Sequence, residues 1–278
     1  MFDFLRISTR SSKQGIEIYP KFRICKSSDL MIRGGDFYAI WLEDRGMWST
    51  DEQDVLDRID YELDKYAKEN KELFGEHPRV LHVRDSETRF IGAWHQFCQR
   101  DMRDSYHMLD EKLIFSNMPT SKKDYASKRL PYPLEQGSHE AYDCLMSVLY
   151  SPEERMKIEW AIGSIVSGES KRLQKFMVLY GAAGTGKSTV LNIIQQLFEG
   201  YYSVFDAKAL GSSSNAFALE AFKTNPLVAI QHDGDLSRIE DNTRLNSLVS
   251  HEIMTVNEKF RPTYSNQFKA FLFMGTNK

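Results

Sequence analysis

The stretch at 181–189, GAAGTGKST, constrains this chain more than any other. It fits the pattern G-x-x-x-x-G-K-[ST], with Gly181, Gly186, Lys187 and Ser188 at the fixed places and Ala182, Ala183, Gly184 and Thr185 between them. The apolar run FMVLY at 176–180 precedes it, and Val190, Ile193, Ile194 and Leu197 recur at helical intervals after it. Strand, loop and helix in that order aim successive backbone N–H groups at one point, beside the positive end of a helix dipole. Phosphate is the ligand such a cradle suits. Glycines let the backbone turn where a side chain would clash. Lys187 is expected to reach the β- and γ-phosphates, Ser188 to offer its hydroxyl to Mg²⁺, and Thr189 to support the loop from the first helical turn. The pattern fixes the phosphates and not the base, so ATP over GTP is an expectation from the class.

The surrounding segments predict the fold. Helices are expected over 139–150 and 152–167; the second has Ser151 as cap, Pro152 at the first helical position and Glu154 closing a capping box. LVAIQ at 227–231 and FKAFLFMGTN at 268–277 supply two more buried strands. Strands alternating with helices predict an α/β fold, a mostly parallel sheet covered on both faces in three α/β/α layers. A metal-bound nucleotide needs a carboxylate at the tip of a central strand, and LVAIQ runs into His232-Asp233-Gly234-Asp235. Asp233 is expected to hold Mg²⁺, directly or through water, and Asp235 to orient the attacking water. A strand ending a residue earlier or later swaps the two or makes Asp235 a turn residue. His232 either faces the site or packs. Asn277, at the end of the last strand, reads alone as a turn residue and in this context as a sensor of the γ-phosphate.

The first half is less regular. FYAIWLEDRGMW at 37–48 predicts strand, acidic turn and strand; Ser49 and Glu52 have capping-box spacing ahead of a helix bearing Val55, Ile59, Leu63 and Tyr66. Residues 92–104 and 105–116 are weaker helix candidates. Residues 117–137 combine Pro119, Pro131, Pro133 and Gly137 with Lys122, Lys123, Lys128 and Arg129, a basic loop that is either solvated or in contact with nucleic acid. A formal net charge of -3 decides neither way. Three cysteines, Cys25, Cys98 and Cys144, form no CxxC pair, so neither a disulfide framework nor a structural zinc site is expected, and a reducing compartment is. With no signal peptide and no bilayer-length apolar run, the expected location is soluble and cytoplasmic, away from membranes.

Four elements in this order resemble superfamily 3 helicases, and within them the phage, plasmid and poxvirus primase-helicase group. Residues 181–189 resemble the first motif, 228–233 with Asp235 the second, 245–259 the segment leading into the superfamily's extra motif, and 271–277 the sensor strand. The resemblance implies a P-loop NTPase core of AAA+-like kind over 138–278, preceded by an accessory mixed and helical region over 1–135. It implies an ATP-dependent replicative DNA helicase, using ATP and Mg²⁺ and usually moving 3′ to 5′. Its subunits would form a homo-oligomeric, hexameric ring around single-stranded or forked DNA, working with primase or other replication proteins. It also places Lys259, with Phe260 and Arg261, at or beside a DNA-contacting hairpin; read alone, K-F-R suits a strand edge as well as phosphate pairing and base stacking.

Three departures stand out. Asp233 replaces the glutamate common in relatives, Ser250-His251-Glu252 stands where they carry Gly-Gly-Asp, and the chain ends at Lys278, ahead of the further core strand and arginine finger that relatives have. Arg238 and Arg244 precede the sensor strand, the wrong place for that finger. The expectation is therefore a piece of a longer protein that binds nucleotide and hydrolyses it weakly. Asp3, Glu17, Asp29 and Asp36 are too scattered for a primase metal site. Rival readings are a helicase-loader-type ATPase, a nucleotide-binding oligomeric assembly without unwinding, and a small-molecule kinase.

Overall fold

The computed structural model describes the chain except residues 1, 14, 24–25, 75–77, 86–88, 101–104, 213–214, 216, 236–238, 240, 258–262 and 278. Its contacts divide it into two units, Met1–Met108 with Thr120–Ser127, and Leu109–Pro119 with Lys128–Lys278.

In the first unit β1 (Leu5–Ser12) and β2 (Gly15–Phe22) pair antiparallel, while β3 (Leu30–Arg33), β4 (Asp36–Leu42) and β5 (Met47–Ser49) form a second antiparallel sheet. The helices α1 (Glu52–Glu69), α2 (Lys71–Phe74) and α3 (Phe90–Arg100) follow, with the short β6 (Arg79–Val80) parallel to β2. Val55, Ile59 and Leu63 of α1 are buried among Ile18, Ile40, Trp94 and Phe97, as their spacing predicts, with Tyr66 half-buried against the same cluster and Leu56 buried beside them. The cap of α1 differs from the expectation at Ser49. Asp51 fills that place, its carboxylate accepting from the Gln53 N–H at 2.9 Å. A charged acceptor one residue before the helix meets both the free N–H and the dipole. Ser49 instead donates to Asp54 Oδ2 at 2.5 Å, and Glu52 accepts from Trp94 Nε1 at 2.6 Å.

Residues 105–116 form no helix, against expectation. Asp110 has a left-handed φ of 61°, and the backbone around it is spent on distant partners. The Leu130 N–H donates to Ile114 O at 2.7 Å and the Ser116 N–H to Tyr132 O at 3.0 Å.

The second unit contains α4 (Glu140–Leu149), α5 (Pro152–Val166), α6 (Ser170–Leu173), β7 (Met177–Tyr180), α7 (Lys187–Leu197), β8 (Tyr202–Val204) and α8 (Ala207–Leu210). It continues through β9 (Val228–Gln231), α9 (Thr243–Val249), the antiparallel pair β10 (Ile253–Val256) and β11 (Tyr264–Gln267), and β12 (Phe271–Thr276). The capping box of α5 is formed as its sequence predicts, Glu154 N–H on Ser151 Oγ at 3.3 Å and Ser151 N–H on Glu154 Oε2 at 2.9 Å.

Four strands make one parallel sheet in the order β7-β12-β9-β8. Alternation along the strands gives each face its own core. Phe271, Phe273, Val228 and Ile230 pack with Ile158 of α5 and Val190, Leu191 and Ile194 of α7. Leu272, Met274 and Ala229 pack on the other face with Leu210 of α8 and Leu245 and Leu248 of α9. At about 1.5–3 kcal/mol for each large apolar side chain buried, these two layers dominate the unit's stability. The fold is thus mixed α/β around a parallel sheet. Among the described residues no helix is long and apolar enough to cross a membrane.

Candidate nucleotide site

Because the four strands are parallel, everything following their carboxyl ends lies along one edge of the sheet. β12 is last in sequence yet sits between β7 and β9, so the loop after β7, the acidic segment after β9 and the residue after β12 come together. Ala183, Gly184, Thr185, Gly186, Lys187, Ser188, Thr189, His232, Asp233 and Asn277, with Leu149, line a single cleft of about 460 Å³.

The loop itself is tightly made. Lys187 opens α7, and its Nζ donates to Gly181 O and Ala182 O, both at 2.7 Å. Thr185 Oγ1 donates to Ala182 O at 2.9 Å, closing the turn. Gly186 caps the helix at a φ of 81°, and a Cβ there would meet Leu149 Cδ2 at 2.7 Å. The glycine therefore answers two demands, a left-handed backbone and the close approach of α4. Gly181 N–H donates to Thr276 O at 3.3 Å, tying the loop's first residue to the end of β12.

The acidic segment is fixed against the same strand. Gly234 N–H donates to Gly275 O at 3.0 Å, and a Cβ on Gly275 would lie 2.3 Å from His232 O. His232, half-buried, places Nε2 3.1 Å from Gln195 Oε1 of α7, whose Nε2 donates to Tyr202 Oη at 3.0 Å. Asp233 is exposed in the cleft, while Asp235, also exposed, is not among the residues lining it. Gly181 and Ala182 lie at the loop's start, outside this lining. Lys259, Phe260 and Arg261 lie outside the described residues, as does Arg238; Arg244 donates to Ser212 O at 3.0 Å and Asn215 O at 2.9 Å.

A second cleft of about 420 Å³ adjoins the first, with Leu149, Thr185 and Lys187 common to both. Ile158, Met177, Leu179 and the 72% exposed Tyr180 give it apolar walls. Tyr150 lines it too, and its buried hydroxyl has no hydrogen-bond partner among the described residues. Burial pushes that phenol's pKa up, with Glu154 adding to the effect, so it is held as a neutral O–H. Sequence reasoning did not point to Leu149, Gln195, Tyr150 or Gly275. Only Gly275, within G-T-N after an apolar run, carried a local signal; the others reach the site through tertiary packing.

The profile of a family of unknown function (DUF5906) matches residues 179–278. No curated protein matches the chain. Among solved structures, the chain is similar to the A form apo structure of the NrS-1 C terminal region, at 13% identity and a TM-score of 0.48, over 86% of this chain and 51% of that one. An apo structure of the NrS-1 C terminal region (305-718) matches at 12% identity and a TM-score of 0.46, over 86% and 51%. The chain thus spans about half the length of the structures it matches.

Proposed function

We propose that the second unit is a P-loop NTPase core that binds and hydrolyses ATP with Mg²⁺, and that it serves as an ATP-dependent replicative helicase module acting on single-stranded DNA in a homo-oligomeric ring. The observation that carries the nucleotide part is the single cleft collecting Lys187, Ser188, Asp233 and Asn277 from three parallel strands. The DNA part rests on the superfamily 3 resemblance.

In this reading the triphosphate lies against the N–H groups of 183–188. Lys187 exchanges its two loop carbonyls for β- and γ-phosphate oxygens, which form stronger charge-assisted bonds. The Ser188 hydroxyl and Asp233 carboxylate are oxygen donors on one cleft, a set that suits Mg²⁺. When bound, that ion neutralises charge on the phosphates. Asp233 also prepares the attacking water, since it lines the cleft and Asp235 does not. Asn277 contacts the γ-phosphate. The base enters the adjoining cleft, stacking near Tyr180 with the Tyr150 hydroxyl as donor.

The test is ATP hydrolysis by the full chain with and without single-stranded DNA, against Lys187→Ala. DNA-stimulated turnover that falls by at least about 100-fold in the variant supports the motor. ATP binding and oligomer formation with no DNA-stimulated turnover refutes it in favour of a nucleotide-dependent assembly.

A further inference from the structure

We propose that the first unit carries its own single-stranded nucleic-acid subsite, in which a base stacks on the exposed His107 ring, itself backed by Tyr125, and Lys123 holds a neighbouring phosphate. A groove of about 440 Å³ lies there, with Met31, Trp48, Tyr106, His107, Lys123 and Tyr125 in its lining. None of these residues belongs to the nucleotide cleft.

Both walls are held by backbone bonds. On one side the Ile32 N–H of β3 donates to Ser105 O at 2.9 Å and the His107 N–H to Met31 Sδ at 3.2 Å, which seats 105–107 along the strand. On the other, a short helical turn at Lys122–Asp124 is capped by Ser121, whose N–H donates to Asp124 Oδ2 at 2.7 Å. Trp48 pins this turn, its Nε1 donating to Lys122 O at 3.0 Å and its N–H to Ala126 O at 2.9 Å. The turn ends on Tyr125 at a left-handed φ of 46°, a conformation costly for an aromatic residue. That conformation lays the Tyr125 ring against His107, centroids 4.0 Å apart and planes 12° from parallel.

His107 is the outer ring of the stack: it is exposed, Tyr125 is half-buried, and Tyr106 beside His107 is 39% exposed. Tyr106 is itself set edge-on to Tyr38, with the Arg33 guanidinium 5.8 Å from its ring centre. Among the described residues two lysines and no carboxylate line the groove; Lys122 pairs with Asp29, and Lys123 is exposed. Flat ring faces with adjacent cations are the chemistry of single-strand binding, where each unpaired base has a π-face to stack and each phosphate a charge to pair. An apolar peptide would use the rings and leave the cation desolvated without a partner.

The test is binding of a short oligo(dT) carrying one 2-aminopurine, read by anisotropy and by quenching of the base, without ATP. The full chain carries Lys187→Ala together with Lys259→Ala and Arg261→Ala, so that neither the nucleotide cleft nor that segment contributes. His107→Ala is expected to weaken binding about 5- to 100-fold and to abolish quenching, and His107→Phe to restore both. Lys123→Ala should flatten the slope of log affinity against log salt by about 1. Binding that His107→Ala leaves unchanged, a failure of His107→Phe to rescue, or no binding and no quenching at low salt would each overturn the proposal; the last would give the groove to a different ligand.

Discussion

Gly275 is where the acidic segment and the last strand touch, and Gly275→Ala tests whether that contact sets the site. The new Cβ would lie 2.3 Å from His232 O and 3.1 Å from Leu191 Cδ1. The leucine methyl can swing aside. The carbonyl belongs to the backbone, and Gly234 N–H on Gly275 O holds residues 232–234 in place. Ordinary carbon–oxygen contacts begin at about 3.3 Å, so the segment must retreat by about 1 Å. Overpacking of this kind costs about 1–3 kcal/mol. At about 2–4 °C per kcal/mol for a unit of this size, calorimetry should show Tm falling by about 2–12 °C. The same retreat draws Asp233 away from the loop at 181–189, and a misplacement of about 1 Å costs on the order of 100-fold in turnover. Gly137→Ala is the control, because nothing lies within 4 Å of a Cβ there. An unchanged Tm for Gly275→Ala would refute the tight contact. A lowered Tm with full ATP turnover would show that the position of Asp233 does not matter to the reaction.

Tyr201 donates from Oη to Lys128 O at 2.6 Å and accepts from Ile114 N–H at 3.3 Å, so Tyr201→Phe strands a buried N–H and a half-buried carbonyl and should cost about 1–3 kcal/mol by denaturant unfolding, with no loss of ATP binding. His251 is 4% exposed, and burial pushes its imidazole below the usual range, aided by Lys171 and Lys269 and opposed by the Nδ1–H donated to Phe268 O at 2.6 Å. Between the lowered folded value and the ordinary value of about 6.5 the unfolded chain binds more protons, so this contribution to stability is complete above about pH 6.5 and is lost as pH falls through that window. His251→Asn tolerates the backbone and does not titrate, so Tm measured from pH 7.5 to 5 should fall less steeply in the variant; identical slopes would refute the assignment.

What could be read from the sequence was local. The glycine-rich turn at 181–189, the capping box at Ser151 and Glu154, and the apolar runs of β7, β9 and β12 are short patterns whose shape depends on few neighbours. Residues 105–116 misled because Leu109 and Leu113 stand four apart, as on a helix, yet both are buried by packing while Asp110 turns the backbone left-handed between them. β1 escaped notice because half of its residues are exposed, and β2 because the buried Glu17 and Pro20 break its apolar run. His251 departs from a glycine in the resembled motif, and its φ of 50° shows what the position asks of the backbone; the imidazole holds that turn through Phe268 O, and its own carbonyl accepts from Gln267 Nε2 at 2.6 Å.

The choice between Asp233 and Asp235 could not be read locally. β9 ends at Gln231, so counting residues brings both carboxylates to the edge of the sheet. What separates them is the order β7-β12-β9, which sets the end of β12 beside the acidic segment, and the bond from Gly234 N–H to Gly275 O that this order makes possible. That bond fixes the chain just after Asp233, which lines the cleft with Lys187 and Asn277 while Asp235 does not. Strand order is a long-range property of the sheet, and it is strand order that decides which of the two acids flanking Gly234 lines the cleft.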